Sequence, residues 1–226
     1  MNPSLAVVCD FDGTATLLDI GDEISRRFGG EPHFLEQKRL FAQGKLDTRG
    51  IIEGIYTHVK ASELEVCDYA VEIARLRPGF SELVEASARR GAPFYLASGG
   101  LRQYIDAVLA RHLPAELRQH VQVRANEAAF GPEGLRVTFP LDALSRAAGC
   151  AVCGSCKRVS VADARAGGAR HVIGLGDGFA DRCLVQFADQ AFARQDSYLL
   201  KHCLERGVPV TPFVELFDAA KAVAEV

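Results

Sequence analysis

The sequence has no apolar stretch of the length that a membrane-spanning helix needs, and neither sign of charge dominates it. Lys and Arg number 26 against 29 Asp and Glu, so the net charge at neutral pH is only -3. The basic residues are scattered rather than arranged in a stripe, which argues against a nucleic-acid-binding surface. We therefore expect partners that are neither nucleic acid nor membrane.

Two further absences bear on the compartment. The N-terminal segment lacks the basic region and cleavage site of a secretory signal peptide. Seven cysteines are an odd and modest number for 226 residues, which argues against a disulfide framework and for reduced thiols. Both observations favour a cytoplasmic protein. Its length allows one good hydrophobic core and a small second domain.

Apolar runs typical of buried strands alternate with helical patterns, which predicts an α/β fold with a doubly wound, Rossmann-like parallel sheet. A hairpin is also expected where Leu135–Phe139 pairs with the segment that ends near Phe130, because Gly131-Pro132-Glu133-Gly134 is a turn signal. The parallel strand candidates are Leu5–Cys9, Pro93–Ala97, Val121–Ala125, His171–Leu175 and Gln190–Ala193.

Residues 16–77 contain no good strand pattern and are predicted to be helical throughout. One helix is expected from Asp47 or Thr48 to about Val59, and Ser62 is expected to cap a second one. We interpret this interval as a helical cap domain inserted into an α/β core domain of residues 1–15 and 78–226. Ligands bind at the carboxyl ends of the strands in such sheets, so a cap placed there would cover the site and select the substrate.

The segment Asp10-Phe11-Asp12-Gly13-Thr14 directly follows the first predicted strand. Two carboxylates so close together repel each other, and a cation between them removes the repulsion. Mg²⁺ suits this position, because it takes oxygen ligands and usually keeps waters or substrate phosphates in its shell. The pair therefore indicates phosphoryl chemistry, in which one Asp attacks phosphorus and the other moves protons.

Three more clusters follow later strands. Ser98-Gly99-Gly100 would let backbone N–H groups approach an anion, unless it is an ordinary glycine turn. Lys157 would neutralise a phosphate together with the attacking carboxylate, unless it is a solvated surface lysine. Asp177 would complete a magnesium shell, and Asp181 would orient Lys157 or a metal-bound water. A helix cap and a solvated acid explain either Asp singly, but not both together with the first pair.

Together these clusters resemble the motifs of the haloacid dehalogenase (HAD) superfamily of aspartyl phosphatases, D-x-D-x-T, a Ser or Thr, a Lys and G-D-x-x-x-D. All four occur in order between Asp10 and Asp181. The helical insertion is similar to the cap of the phosphoserine-phosphatase-like branch, subfamily IB. The segments that resemble its methionine-salvage members are Ser98-Gly99-Gly100, Asn126-Glu127-Ala128, Cys153-x-x-Cys156-Lys157 and the tail from Phe192-Ala193-Arg194 to Pro212-Phe213.

The resemblance implies a Mg²⁺-dependent phosphatase that hydrolyses a small-metabolite phosphomonoester through an aspartyl-phosphate intermediate. Asp10 would be the nucleophile and Asp12 the general acid and base, with Lys157 as the third catalytic residue. The other implied roles are phosphate binding by Thr14, Ser98, Gly99 and Lys157, metal binding by Asp10, Asp12 and Asp177, and support by Asp181. For the methionine-salvage branch, the substrate would be 2-hydroxy-3-keto-5-methylthiopentenyl 1-phosphate.

Alternatives remain for the substrate and the reaction. They are phosphoserine or another small phosphomonoester, a phosphomutase reaction, and a non-catalytic metal-binding protein. Glu23 is a candidate for the cap acid that binds the substrate amine in phosphoserine phosphatases, or it stabilises a helix N-terminus. Arg102 is a candidate contact for a substrate carboxylate or carbonyl, or a surface residue. The chain is expected to be a monomer or a homodimer.

Cys150, Cys153 and Cys156 are each separated by two residues, a spacing that can bind zinc or an iron–sulfur cluster. A closed zinc site needs a fourth ligand, and no His or Cys nearby in the sequence is an obvious one. The three are therefore candidate ligands of a structural metal, or part of an inherited loop architecture. The other four cysteines are predicted to be small core residues: Cys9, Cys67, Cys183 and Cys203.

Overall fold

A computed structural model of the chain describes residues 4–226, so residues 1–3 of the expected first core segment lie outside the described residues. Seven strands within 4–226 form one sheet in the order β4-β3-β2-β1-β5-β6-β7. Their bounds are β1 Leu5–Cys9, β2 Phe94–Leu101, β3 Val121–Gly131, β4 Gly134–Thr138, β5 His171–Gly176, β6 Gln190–Arg194 and β7 Thr211–Phe213.

Helices cover both faces of the sheet. Their bounds are α1 Ile20–Gly29, α2 Glu31–Ala42, α3 Thr48–Thr57, α4 Glu63–Ile73, α5 Phe80–Arg89, α6 Arg102–His112, α7 Ala115–Arg118, α8 Asp142–Ala147, α9 Arg158–Ala166, α10 Arg182–Phe187, α11 Tyr198–Arg206 and α12 Phe217–Glu225. Among residues 4–226, none of them combines the length and the apolar character that crossing a membrane requires.

Strand β1 is buried on both faces. Leu5, Val7 and Cys9 belong to the core on one side of the sheet. Ala6 and Val8 belong to the core on the other side. Because successive side chains of a strand point to opposite faces, a strand covered by helices on both sides needs a continuous apolar run. This requirement explains the continuous apolar sequence of Leu5–Cys9. The buried strand and its covering helices confirm the predicted α/β class.

The order in which the chain adds strands to the sheet reverses at β1. This strand pairs in parallel with β2 on one side and with β5 on the other. The chain adds β2, β3 and β4 on one side and then crosses over to add β5, β6 and β7. Ligands of doubly wound sheets bind at such a switch point, outside the carboxyl ends of the strands. The residues that follow β1, β2 and β5 therefore meet although they are far apart in sequence.

Two strand predictions need correction. Strand β2 runs on to Leu101, with an irregular register between Ala97 and Leu101, so Ser98-Gly99-Gly100 lies within its last part rather than in a turn. Strand β7 was not predicted, because three residues with a central Pro212 give no alternating pattern and suit only a sheet edge. The predicted hairpin is confirmed by the antiparallel pairing of β3 and β4.

Helices α1–α4 form an insertion between β1 and β2. The side chain of Asp47 accepts a hydrogen bond from the backbone N–H of Gly50 and caps α3. Ser62 and Glu65 form a reciprocal capping box at the start of α4. The helical character expected for residues 16–77 is thus confirmed, whereas the division of the chain into a core and a cap domain stays a prediction.

The insertion leaves the core and returns to it at one place. Thr16 and Leu76 form an isolated antiparallel bridge. Next to it, the backbone N–H of Leu17 donates to the carbonyl oxygen of Arg75 at 3.0 Å. The two crossing segments are therefore held side by side.

Arg77 stabilises the place where the chain enters and leaves the insertion. The residue is only 7% exposed. Its guanidinium donates hydrogen bonds to four backbone carbonyl oxygens, those of Gly13 at 2.7 Å, Thr14 at 2.7 Å, Thr16 at 3.1 Å and Val214 at 2.9 Å. One side chain thus joins the loop after β1, the start of the insertion and the C-terminal segment.

We expect Arg77→Ala to lower the free energy of unfolding by about 3–5 kcal/mol, because buried carbonyl groups lose a charged donor. Urea denaturation measures the change. The control is Arg90→Ala at an exposed position, which should shift stability by less than about 0.5 kcal/mol. A loss below about 1 kcal/mol for Arg77→Ala would contradict the role given to this side chain.

Candidate active site

A cavity of about 240 Å³ lies where the carboxyl ends of β1, β2 and β5 face helices α1–α3. Seven of the residues predicted from the four motifs line it: Asp10, Asp12, Ser98, Gly99, Lys157, Asp177 and Asp181. The described residues that line it do not include Thr14, Glu23 or Arg102. The topology thus brings together most of the motif residues, but not every predicted site residue.

Lys157 lies between two carboxylates. Its Nζ donates a hydrogen bond to Asp10 Oδ1 at 2.6 Å and another to Asp181 Oδ1. The lysine is only 4% exposed, which excludes the alternative of a solvated surface residue. Burial alone would lower the pKa of Lys157, but the charges of Asp10 and Asp181 outweigh it and raise the pKa above its ordinary value. The ammonium therefore keeps its charge where a phosphoryl group would need it.

Asp12 accepts hydrogen bonds on both carboxylate oxygens. Oδ1 accepts from the backbone N–H of Ile20 at 3.0 Å and of Gly21 at 3.4 Å, at the start of α1. Oδ2 accepts from the hydroxyls of Tyr104 at 2.7 Å and Ser98 at 3.2 Å. Burial raises the pKa of Asp12 to about 6, although these hydrogen bonds oppose it. A carboxyl group with this pKa can both give and take a proton near neutral pH.

Tyr104 is a site residue that sequence reasoning missed. It lies on α6, is completely buried and lines the cavity beside Asp12. A Cβ atom on Gly100 would collide with the Tyr104 hydroxyl and lie 2.8 Å from Asp12 Oδ2, so a glycine is needed there. A lone tyrosine on an apolar helix face looks like an ordinary core residue, which is why no sequence signal pointed to it.

Asn126 connects two of the motif loops. Its side-chain amide donates to the carbonyl oxygen of Gly99 at 2.7 Å. Its side-chain oxygen accepts a hydrogen bond from the hydroxyl of Ser155, two residues before Lys157. The residue is fully buried, so the connection is shielded from water. The last part of β2 and the loop before Lys157 are therefore held in a common arrangement.

Asp177 is held by its neighbours rather than by Lys157. The Thr14 hydroxyl donates to Oδ1 at 3.3 Å, and Arg194 Nη2 donates to Oδ2 at 3.0 Å. Gly13 has a φ of +77°, and a Cβ there would lie 2.6 Å from Asp177 Oδ2, so both conformation and space require glycine. Thr14, predicted to bind phosphate, instead contacts Asp177 and does not reach the cavity.

The two predicted specificity residues lie outside the cavity lining. Glu23 is paired with Arg26 at 3.8 Å on the surface of α1. Arg102 donates to the carbonyl oxygen of Val123 at 2.7 Å and lies 3.5 Å from the carboxylate of Glu127. Neither side chain is brought to the reacting groups by the fold.

Other side chains of the insertion face the cavity instead. The polar ones include Asp19, which caps α1, and the ion pair that Asp22 forms with Lys38 at 2.7 Å. Burial raises the pKa of Asp19 well above its ordinary value. The apolar part of the lining consists of Phe41, Ile51, Ile52, Ile55 and, from the core, Phe179. The wall opposite Asp10 is therefore largely apolar, with one charged corner.

The donor set fits Mg²⁺. Carboxylate oxygens of Asp10, Asp177 and Asp181 lie within 4.8 Å of one another. Burial raises the pKa of Asp10 and of Asp177, and the charge of Asp181 adds to both shifts. The local positive charge of Lys157 and Arg194 thus does not balance the carboxylates, and an oxygen-preferring divalent cation would.

The cysteine cluster lies next to this site. The sulfur atoms of Cys150, Cys153 and Cys156 are buried and within 4.8 Å of one another, in the loop that leads directly to Lys157. The fold therefore brings together the three predicted ligands of a structural metal.

Known proteins share both this sequence pattern and this fold. The 2-hydroxy-3-keto-5-methylthiopentenyl-1-phosphate phosphatase of Geobacillus thermodenitrificans (strain NG80-2) is 28% identical over 218 residues, which cover 96% of this chain and 94% of that protein. A protein of the same name from Geobacillus kaustophilus (strain HTA426) is 28% identical over 224 residues, covering 99% and 97%. These matches confirm the predicted resemblance to the methionine-salvage phosphatases.

A solved structure described as a phospho-aspartyl intermediate analogue of phosphoserine phosphatase superimposes with a TM-score of 0.66. At 17% identity it covers 98% of this chain and 99% of that chain, and it confirms the fold. The predicted enzyme class, a phosphoric monoester hydrolase, is confirmed by the family and these relatives together. The model of the haloacid dehalogenase-like hydrolases matches residues 7–186, and the chain therefore belongs to this family.

Proposed function

We propose that the protein hydrolyses a small phosphorylated metabolite in a Mg²⁺-dependent reaction that passes through an aspartyl phosphate, the acyl phosphate of Asp10. The observation that carries this proposal is the position of Asp10 at the switch point of the sheet. Its Oδ1 is held by the buried Lys157, and the carboxylate of Asp177 lies beside it. A carboxylate fixed in this way is oriented for attack and needs little reorganisation.

Different side chains of the site would carry out attack, phosphate binding and proton transfer. Lys157 holds Asp10 Oδ1, which leaves Oδ2 to attack phosphorus. The Ser98 hydroxyl, the backbone of Gly99 and the Lys157 ammonium would bind the phosphoryl oxygens, whose charge must be matched in the transition state. Asp12 would give its proton to the leaving oxygen and then take a proton from the water that hydrolyses the aspartyl phosphate to inorganic phosphate and free Asp10.

Magnesium would be held by the carboxylate of Asp10, the backbone carbonyl of Asp12 and the carboxylate of Asp177. When bound, it supplies positive charge that offsets the phosphate and the acidic residues. Asp181 supports the site through Lys157 and through its Oδ2, which accepts from the backbone N–H groups of Asp177 at 2.9 Å and Gly178 at 2.7 Å.

For the substrate we propose 2-hydroxy-3-keto-5-methylthiopentenyl 1-phosphate, an intermediate of methionine salvage. The names of the relatives support it, and so does the apolar wall of the cavity, against which a methylthioalkyl chain can pack. A Cβ atom on Gly99 would lie 3.3 Å from Ile52 Cδ1, so this wall stands close to the proposed phosphate-binding residues at the end of β2. We also propose that the enzyme acts in the cytoplasm, as a monomer or a homodimer.

Phosphoserine remains a second candidate because of one observation. The Asp22–Lys38 ion pair could exchange its partners for the ammonium and carboxylate of a bound serine. Against it, the side chains of Ile51, Ile52 and Ile55 offer these charged groups no hydrogen bond, and burying a charge beside them is costly.

The test compares kcat/KM for the two phosphate esters with Mg²⁺ and with excess chelator. We expect a preference of about 100-fold or more for the methylthio substrate, because its tail is apolar. We also expect release of inorganic phosphate, and no turnover without the metal. Equal or better turnover of phosphoserine would refute the proposed substrate. Transfer of the phosphoryl group to a second substrate instead of water would indicate a phosphomutase. Inactivity on all phosphate esters would refute the proposed phosphatase function.

A further inference from the structure

Four of the seven cysteines gather beside the active site. Cys150, Cys153 and Cys156 form a buried cluster, and Cys183 from the first turn of α10 packs against it. Cys183, which the sequence predicts to be a small core residue, is half-buried and packs against this cluster. Cys183 is therefore a candidate for the fourth ligand. It lies 27 residues beyond Cys156 in the chain, which is why it was not an obvious ligand from the sequence.

The side chains of the first three cysteines are buried together. Cys150 and Cys153 are each 7% exposed and Cys156 is 2% exposed. Buried cysteines gathered in this way are typical of a structural metal site, to which they bind as thiolates.

We propose that Cys150, Cys153, Cys156 and Cys183 bind one zinc ion in a closed, four-sulfur site. Two C-x-x-C steps followed by a distant cysteine supply the four thiolates of a structural zinc site. In a tetrahedral site with zinc–sulfur bonds of about 2.3 Å, the sulfur atoms are about 3.8 Å apart. The three clustered sulfurs, all within 4.8 Å of one another, already approach that spacing.

An iron–sulfur cluster fits this arrangement less well, although its cysteines can show the same spacing in sequence. A [4Fe–4S] cluster places four iron atoms between its thiolates, and the ligands must stand further apart than around a single ion. The sulfur atoms of Cys150, Cys153 and Cys156 lie within 4.8 Å of one another, which suits three ligands of a single ion. The sulfur ligands also distinguish this site from the neighbouring oxygen site, since soft thiolates select zinc and carboxylates select magnesium.

The zinc would join the two chain segments that carry the ion pair of the active site. Cys156 directly precedes Lys157, and Cys183 follows Asp181 by two residues. A metal bound to both cysteines fixes the distance between the two segments, and with it the position of the lysine. The same loop also contacts the insertion, because the backbone N–H of Arg49 donates to the carbonyl oxygen of Val152 at 3.0 Å.

The test measures metal content by mass spectrometry in protein purified in reductant without a histidine tag. We expect about one zinc per chain in the wild type and less than about a tenth of that in Cys153→Ser and Cys183→Ser. The matched control is Cys67→Ser, which changes a half-buried cysteine of α4 outside the cluster and should keep its zinc.

A spectroscopic measurement guards against variants that fail to fold. Wild-type protein whose metal is exchanged for Co²⁺ should show the visible absorption of a tetrahedral four-thiolate site, and added Mg²⁺ should not displace it. Absence of zinc from the wild type after incubation with the metal would overturn the proposal. So would zinc retained by Cys183→Ser, or iron and sulfide in place of zinc. None of these outcomes depends on phosphatase activity, so the proposed function can fail independently.

Discussion

Asp10→Asn is expected to lower kcat by at least about 10⁴-fold, because the neutral amide cannot form the aspartyl phosphate. The substitution keeps the size of the side chain, and Lys157 keeps Asp181 as its partner, so the fold should remain intact. Phosphate release measures kcat, and circular dichroism checks the fold. As a matched control, Asp68→Asn at an exposed position of α4 should leave kcat unchanged.

Trapping the intermediate sharpens this expectation. Wild-type enzyme quenched in acid during turnover should carry one added phosphoryl group on the peptide that contains Asp10. The asparagine variant should carry none. Near wild-type turnover by Asp10→Asn, or a phosphoryl group located on Asp12 instead, would show that the nucleophile has been misassigned.

Lys157→Ala is the second change with a large expected effect. We expect kcat/KM to fall by about 100-fold or more, because the phosphoryl oxygens and Asp10 lose the charge that holds them together. Stability should fall as well, since Asp10 and Asp181 are left as buried carboxylates without their shared cation. Activity is therefore measured on protein whose folded fraction has been determined by urea denaturation.

The control for this variant is Lys201→Ala, whose side chain is 77% exposed and which should change neither quantity. A loss of less than a few-fold in kcat/KM would argue that Lys157 serves the fold alone. A large loss in kcat/KM in protein that is still fully folded would show that Lys157 contributes to catalysis and not only to stability.

The acids that we propose as catalytic could be located from the sequence, because their position follows a general rule. Asp10 and Asp177 each follow an apolar strand, and the carboxyl ends of parallel strands share one edge of the sheet. Ser98 follows the same rule, although its strand continues further than expected. Strand pattern and topology together were enough to bring these residues into one site.

The partners of those acids could not be predicted in the same way. Tyr104 meets Asp12 across 92 positions of the chain, and no periodicity indicates which face of α6 turns toward the cavity. On α1, adjacent side chains point about 100° apart, so one position separates Asp22, which lines the cavity, from Glu23, which does not. Contacts of this kind depend on the packing of whole elements rather than on local composition.

The crossing at Thr16 and Leu76 also has an evolutionary consequence. The insertion begins and ends at neighbouring points, so it is a closed loop attached to the rest of the fold at one place, whatever its length. The entropy of closing a loop grows only with the logarithm of its length, so a longer or shorter insertion changes stability little. A recombination event that exchanges these helices as a block would therefore leave the ends of β1, β2 and β5 in place. On the proposal that the helices select the substrate, such an event changes the substrate and keeps the groups that carry out the reaction.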